Sequence, residues 1–189
     1  MNCQNKELCN YLSITVNYKK SYFLISNMKR ILILGCVGAG KTALAKKLSN
    51  KIKIDYFSTD LIFYDRKWKK RPVYIRNSKL DNILRRNKWI IEGKYSKDWM
   101  NSVIKNADTV ILLDYPKKTI LDRIFRRYFR GIRKRTDYGK LWSLIHLLYL
   151  AFVYNSLGDF DIGKGIEKRG GKFLVVKNID KEKELLKGE

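Results

Sequence analysis

The chain has 189 residues, which is enough for one well-buried core, and no shift in composition along it suggests a second domain. Lys and Arg number 41 against 18 Asp and Glu, so the formal charge of +23 favours anionic partners such as phosphates, nucleic acid or an acidic membrane surface. The three cysteines, Cys3, Cys9 and Cys36, exclude a zinc site of ordinary spacing and favour a reduced, cytoplasmic setting.

Residues 1–27 stand apart from the rest of the chain. Their apolar stretch is broken by Asn17, Lys19 and Lys20, so a signal peptide is not expected. Met28 begins a compact strand pattern, and two interpretations stay open. Residues 1–27 are either an N-terminal extension before a domain at 28–189, or a short strand or helix added to that domain.

The segment from Arg30 to Ile52 carries the most specific pattern in the chain. Arg30 to Leu34 is an apolar run typical of a buried parallel strand, and residues 41–52 have apolar positions at helical spacing. Between them the chain matches GxxxxGK[ST], the Walker A loop, which cradles phosphates with backbone N–H groups and places a hydroxyl on magnesium. The residues predicted to bind the nucleotide are Gly35, Gly38, Ala39, Gly40, Lys41, Thr42 and Ala43.

Strand-like and helical segments alternate after this loop. Strands are predicted at residues 53–57, 88–92, 108–115 and 172–177, and helices near 73–87, 117–131 and 140–157, with a short one after Asp180. Together with the first strand they predict an α/β protein with a five-stranded parallel sheet in a three-layer P-loop fold.

Carboxylates follow three of the predicted strands, at the edge where such sheets bind ligands. Asp60 follows the second strand, Glu92 ends the third and Asp114 ends the fourth. Magnesium and an acceptor hydroxyl would both require carboxylates at this edge. We predict such roles for Asp60 and Glu92 and leave Asp114 open; for each, a helix cap or a plain loop carboxylate is the alternative.

From Met28 to about Asp137 the chain resembles the bacterial DNA topology modulation proteins, an adenylate-kinase-like P-loop family. The motifs that carry the resemblance are "MKRILILGCVGAGKT", "STDLIFYDRKW", "WIIEGKYS", "ADTVILLDYP" and "RGIRKRTD", in this order. The resemblance implies an ATP-dependent kinase-like architecture with a small acceptor-side insertion and a basic, mobile lid, placed at about residues 126–165. It does not reveal the acceptor.

The resemblance also implies roles for single residues. Lys41 would contact the β- and γ-phosphates, and Thr42 the magnesium ion, near Glu92, which stands where adenylate kinases keep a magnesium-ordering aspartate. Arg123 and Arg127 resemble arginines that hold the nucleotide and the transferring group, and Arg133 and Arg135 resemble lid arginines. The arginine that grips a nucleoside monophosphate in adenylate kinases is missing from Glu92-Gly93-Lys94-Tyr95-Ser96, so AMP is not supported as acceptor.

Two basic clusters can be interpreted from their residues alone, without the family resemblance. The first, between Asp122 and Lys140, is dense enough that its charges repel one another unless an anion lies among them, either ATP under a lid or a nucleic-acid backbone. The second surrounds Trp68 with Lys67, Lys69, Lys70 and Arg71, and favours an anionic acceptor, a stacked base or a merely solvated face.

Residues 141–157 are apolar on nearly every side but shorter than a membrane span. We expect a helix buried against the core or against a second copy, with membrane-surface association as the alternative. His146, which has no carboxylate at helical spacing, is expected to be a packed residue. No transmembrane segment is predicted.

The sequence therefore predicts a phosphotransferase that binds ATP and Mg²⁺ and phosphorylates a small acceptor near Asp60 and Trp68, with Asp60 as base. The alternative is a nucleic-acid-associated ATP-binding protein that affects DNA topology, and a third is an ATP-binding protein without transfer activity. The oligomeric state is not predicted.

Overall fold

The computed structural model describes residues 28–65, 67–93, 97–134, 136 and 139–187, without the side chains of residues 97 and 98. The predictions for residues 1–27 and for Arg135 lie outside these residues. The elements in chain order are β1 (Arg30–Gly35), α1 (Lys41–Ile52), β2 (Tyr56–Ser58), α2 (Thr59–Phe63), α3 (Val73–Leu84), β3 (Trp89–Glu92), α4 (Lys97–Asn106), β4 (Thr109–Leu113), α5 (Lys117–Arg133), α6 (Leu141–Val153), α7 (Leu157–Glu167), β5 (Lys172–Val176) and α8 (Ile179–Lys187).

The five strands form one parallel sheet in the order β2-β3-β1-β4-β5, which confirms the predicted fold class. The central strand β1 pairs with β3 on one side, Ile33 opposite Glu92, and with β4 on the other, Gly35 opposite Leu113. Because β1 is covered on both faces, its run from Ile31 to Leu34 is apolar without alternation and fully buried. All five strands point their carboxyl ends at the same edge.

Helices cover both faces of the sheet and make the three layers. Alternate residues of β1 enter the two cores: Ile31 and Ile33 pack with side chains of α1, α5 and α6, and Leu32 and Leu34 pack with those of α2, α3, α4 and α7. The layer that holds α1 also receives α8 through Leu185 and Leu186. The P-loop between β1 and α1 therefore lies at the centre of the sheet edge.

The second strand is shorter than predicted. The sequence predicts a strand at 53–57, whereas α1 continues to Ile52 and Lys53 ends it in the left-handed conformation with φ 54°. The strand begins only at Tyr56. Lys53 caps the C-terminus of α1. Glycine or asparagine fills this position more often, so a lysine there does not signal the end of a helix.

The single helix predicted at 140–157 is wrong, because two helices occupy the region. Helix α6 ends at Val153, Tyr154 is extended, and α7 begins at Leu157 with its axis turned by 59°. The Asn155 side chain accepts a hydrogen bond of 2.9 Å from the backbone N–H of Leu157, which fixes the turn. Helices α2, α4 and α7 were not predicted from the sequence; glycines at 158, 163 and 165 obscure the pattern of α7.

Helix α6 is only half covered. Leu144 and Ala151 are buried against α5, while Trp142 is 81% exposed and Phe152 is 78% exposed. His146 is also exposed, so the expectation that it packs inside is wrong. One stripe of this mostly apolar helix faces the core, and the opposite stripe is largely exposed, with the Lys117 ammonium 5.1 Å from the centre of the Phe152 ring. Among the described residues no single helix meets the length and hydropathy needed to cross a membrane, although the bent pair of α6 and α7 meets them jointly.

Candidate functional site

The P-loop is shaped by three glycines with positive φ. The φ angles are 139° at Gly35, 78° at Gly38 and 95° at Gly40, values that side-chain-bearing residues rarely adopt. Space is also limiting, because a Cβ atom on Gly38 would lie 2.8 Å from Cγ1 of Ile124. A hydrogen bond of 3.2 Å from Ala39 N–H to the Cys36 carbonyl tightens the turn. The loop backbone can therefore adopt this conformation before α1 only when glycine occupies these three positions.

Lys41 begins α1 and folds back under the loop. Its ammonium group donates hydrogen bonds to the carbonyl oxygens of Gly35 at 3.0 Å and Cys36 at 2.9 Å. Burial lowers the pKa of Lys41, and the nearby carboxylates of Glu92, Asp60 and Asp159 oppose that shift. Helix α1 has Gly40 at its N-cap and no side chain of the described residues caps it, so its N–H groups remain available to an anion.

A hydroxyl and a carboxylate meet beside this helix end. Thr42 donates a hydrogen bond of 2.9 Å from Oγ1 to Oε1 of Glu92, which is 4% exposed at the end of β3. The backbone carbonyl of Glu92 accepts a second hydrogen bond, 3.1 Å long, from Oγ1 of Thr59. Gly93 allows this contact, since a Cβ atom there would lie only 2.0 Å from Oγ1 of Thr59. The chain thus fixes the Glu92 carboxylate at the P-loop.

Arg123 of α5 supports the loop from the other side. Its Nη1 donates to the carbonyl oxygen of Ala39, and its guanidinium lies 4.0 Å from the centre of the Tyr115 ring. Tyr115 in turn donates a hydrogen bond to Oε2 of Glu182 in α8, and Lys47 of α1 pairs with Oε1 of Glu182 at 3.0 Å. Burial and the hydrogen bond to Glu182 raise the pKa of Tyr115 to about 12. The four residues connect the P-loop to three helices.

Asp60, which the sequence predicts at the site, lies in the first turn of α2 and is exposed. Asp159 was missed by the sequence analysis. It lies in the first turn of α7, is fully buried, and accepts a hydrogen bond of 2.5 Å from the Tyr154 hydroxyl. Burial and this hydrogen bond raise the pKa of Tyr154. The carboxylates of Asp60, Glu92 and Asp159 all act on Lys41; no sequence signal marks Asp159, because its glycine-rich segment has no clear periodicity.

The second basic cluster lies on a short hairpin between α2 and α3. Tyr64 pairs with Lys70, and the Asp65 carboxylate accepts hydrogen bonds of 2.8 Å from the N–H groups of Lys67 and Lys69. Trp68 at the tip has φ 57° and is 58% exposed, with its ring 5.8 Å from that of Tyr64. The hairpin and α3 form the small insertion between β2 and β3.

The predicted arginines are distributed along α5. Arg123 reaches the P-loop, Arg127 lies one turn further and is half-buried, and Arg133 is exposed at the helix end. Burial raises the pKa of the Cys36 thiol in the P-loop, which fits a small packed side chain rather than a reactive one.

The described residues contain no cluster of three or more His, Cys, Asp or Glu side chains suited to a metal ion. A magnesium site here would have few protein ligands, as is usual where phosphates and water supply the rest.

A family model for ethanolamine utilisation and propanediol utilisation proteins (PduV-EutP) matches residues 28–88. That segment runs from β1 through β2 to the end of the insertion. The match covers less than half of the chain, so it does not establish the family, and neither does it test the resemblance to topology modulation proteins. No curated protein matches the chain.

Solved kinase structures are similar at low identity. A shikimate kinase from Acinetobacter baumannii with bound shikimate has 15% identity and a TM-score of 0.49, covering 88% of this chain and 93% of that one. A sugar kinase from Janibacter sp. HTCC2649 has 12% identity and a TM-score of 0.48, covering 85% and 91%. A gluconokinase from Sinorhizobium meliloti 1021 has 10% identity and a TM-score of 0.48, covering 85% and 90%. At these values the similarities do not bear on the substrate of this chain.

Proposed function

We propose that this chain is an ATP-dependent phosphotransferase that uses Mg²⁺ and phosphorylates a small acceptor beside Asp60 and Trp68. The observation that carries the proposal is the pairing of Thr42 with Glu92 at 2.9 Å, directly after the glycine loop that holds Lys41. A hydroxyl and a carboxylate at the mouth of a phosphate-binding loop form the usual protein part of a nucleotide–magnesium site.

The residues of the loop fit a nucleotide. The glycines at 38 and 40 keep the curled backbone free of side chains, α1 presents its N-terminal N–H groups, and the Lys41 ammonium lies inside the loop. ATP would supply the phosphoryl group, and a Mg²⁺ ion held by Thr42 and Glu92 would offset its negative charge. Lys41 would exchange its two carbonyl partners for phosphate oxygens, and because its ammonium already lies in the loop this exchange needs only a small movement.

The remaining residues have positioning and proton-transfer roles in this proposal. Asp60, whose charge acts on Lys41, would accept the proton of the acceptor hydroxyl. Arg127, Arg133 and Arg135 would stabilise negative charge on the transferring group. Arg123 already holds the Ala39 carbonyl, so we assign it to support of the loop beside the nucleotide.

The test is magnesium-dependent ATP turnover, screened with nucleosides, nucleotides, small phosphorylated and unphosphorylated metabolites, and DNA. We expect one class of small acceptor to raise turnover and to become phosphorylated. Lys41→Ala should lower that activity by roughly a hundredfold or more. Lys46→Ala removes an exposed lysine from the same helix and should leave it unchanged.

Two other outcomes would replace the proposal. Stimulation by DNA alone would favour the nucleic-acid-associated protein, for which the exposed cations of α5 are the structural argument. Binding of ATP without transfer to any acceptor would favour a protein that has lost its catalytic activity. Product analysis by mass spectrometry distinguishes transfer to an acceptor from plain ATP hydrolysis.

A further inference from the structure

Arg76 is a buried cation without a matching anion. It lies in the first turn of α3, is only 8% exposed, and shares a helix face with the core residues Leu80 and Ile83. Its Nε atom is buried and has no hydrogen-bond partner, and no carboxylate of the described residues forms an ion pair with it. An arginine at such a position is costly unless an anion neutralises it.

A second cation lies over the same aromatic ring as Arg76. The Arg76 guanidinium lies 4.1 Å from the centre of the Phe63 ring, and the Lys70 ammonium lies 5.4 Å from it. The backbone N–H of Arg71 donates a 2.9 Å hydrogen bond to the Phe63 carbonyl, and its Nε atom is also buried without a hydrogen-bond partner. The ring therefore has two positive charges over it, and among the described residues no carboxylate pairs with either of them.

The ring lies close to the candidate active site. Phe63 is in α2, one turn after Asp60, and the Tyr64 N–H donates a hydrogen bond of 2.8 Å to the Asp60 carbonyl. Trp99, at the start of α4 after β3, packs edge-on against Phe63 at 5.7 Å. The cations thus stand near the carboxyl edge of the sheet, on the insertion where the proposed function places the acceptor.

We propose that Arg76, assisted by Lys70, binds an oxyanion, and that the acceptor is an anionic small molecule carrying a phosphate or carboxylate group. The anionic character of the acceptor rests on the proposed function, whereas the binding of an oxyanion by Arg76 does not. A guanidinium offers paired N–H donors that match the oxygens of either group. Such an anion would satisfy the charge that the described part of the protein leaves unmatched.

The first test measures binding without turnover. Thermal unfolding is followed in a buffer free of oxyanions and then with inorganic phosphate or acetate, in a Lys41→Ala background that weakens phosphate binding at the P-loop. We expect phosphate, acetate or both to raise the melting temperature. Adding Arg76→Met, which keeps an apolar stem on Phe63 but removes the charge, should weaken the binding of the effective anion at least tenfold.

If Arg76 has a purely structural role, Arg76→Met should lower the melting temperature and leave the response to anions unchanged. The proposed oxyanion site predicts the opposite. Without an oxyanion, Arg76→Met should melt at the same temperature as its parent or higher, because an unmatched buried charge is removed. A lower melting temperature together with an unchanged response to both anions would overturn the proposal. Arg85→Met, which removes an exposed arginine next to α3, controls for the general loss of positive charge and should leave the anion response intact.

Different experimental results would contradict the phosphotransferase proposal and the proposed oxyanion site at Arg76. The acceptor screen should use matched pairs, each an anionic compound and its neutral analogue. Arg76→Met should raise KM for the anionic member at least tenfold, and Arg76→Lys should restore part of the loss. Turnover of a neutral acceptor that Arg76→Met does not affect would overturn the anionic acceptor and leave the kinase standing. Absence of any transfer, with anion binding that depends on Arg76, would overturn the kinase and leave the anion site.

Discussion

At the scale of single residues, Gly93 has a position that no other residue type fills without a change in the site. Its φ is 109°, and a Cβ atom would lie 2.0 Å from Oγ1 of Thr59. That oxygen donates to the carbonyl of Glu92, whose side chain holds Thr42. The backbone geometry of one glycine thus bears on the carboxylate proposed for magnesium.

Gly93→Ala should therefore destabilise the protein by roughly 1–3 kcal/mol and weaken magnesium-dependent activity, because both φ and space oppose the methyl group. Gly170→Ala is the matched control, since Gly170 also has a positive φ, 81°, but a Cβ atom there meets nothing within 4 Å. Urea unfolding compares the two variants. Equal losses would mean that φ alone matters, and that the contact with Thr59 does not.

Residue type alone predicts some of these positions and not others. Asp60 and Glu92 follow apolar strands, so parallel-sheet geometry places them at the ligand edge before any coordinates are known. Arg76 was missed because arginine is seldom buried without a partner. Asp159 was missed because nothing local distinguishes a buried carboxylate from an exposed one; its burial depends on the packing of α7 against β4 and β5.

At the scale of elements, α8 packs on the P-loop layer through Leu185 and Leu186 and is also joined to it by the carboxylate of Glu182. Glu182 is 9% exposed and receives hydrogen bonds from Tyr115, which follows β4, and from Lys47 in α1. Burial opposes its ionisation, but these hydrogen bonds and the charges of Lys47 and Arg123 together lower the pKa of Glu182 below its ordinary 4.5. The ionised form is therefore the one that joins the helices.

Glu182→Gln should lower the free energy of unfolding at pH 7 by about 1.5–3 kcal/mol, the usual range for a hydrogen bond to a charged group. A lowered pKa stabilises the folded state above the unfolded value and ceases to do so as pH falls through the folded value. The difference between wild type and variant should thus be full at neutral pH and shrink below about 4.5, the ordinary value.

Urea unfolding at a series of pH values measures this difference. Glu184→Gln changes an exposed carboxylate in the same helix and should show little effect at any pH. A difference between wild type and Glu182→Gln that stays constant from neutral pH to well below 4.5 would show that ionisation of Glu182 does not hold α8.

The elements themselves were predictable where hydrophobic periodicity was strong. The buried strands β1, β3 and β4 fall within a residue or two of their predicted limits, because an apolar run bounded by polar residues has few other interpretations. Periodicity alone did not predict the break between α6 and α7, since only Asn155 and Ser156 interrupt the apolar run before Leu157 and the stop depends on Tyr154 and Asn155. The link between Tyr115 and Glu182 joins residues 67 apart, beyond the reach of local patterns.

At the scale of the whole molecule, the net charge of +23 acts on every anion near the protein. It raises the local concentration of nucleotides and also attracts nucleic acid without regard to sequence. Binding to a DNA backbone releases counterions, so its affinity falls steeply with salt, whereas binding in a pocket built from Lys41, Thr42 and loop N–H groups depends on salt far less. Salt dependence therefore separates the proposed site from the general surface charge.

We expect random-sequence duplex DNA to bind at low salt and to lose roughly a thousandfold or more in affinity between about 50 and 200 mM salt. Arg130→Ala and Lys134→Ala, both at exposed positions near the end of α5, should each lower the slope of log affinity against log salt by about one. ATP affinity should change much less over the same range and should be lost in Lys41→Ala alone. Fluorescence anisotropy with labelled DNA and labelled ATP measures both ligands under the same conditions. DNA binding that resists salt as ATP binding does, and that depends on Lys41, would instead make nucleic acid a ligand of the P-loop site.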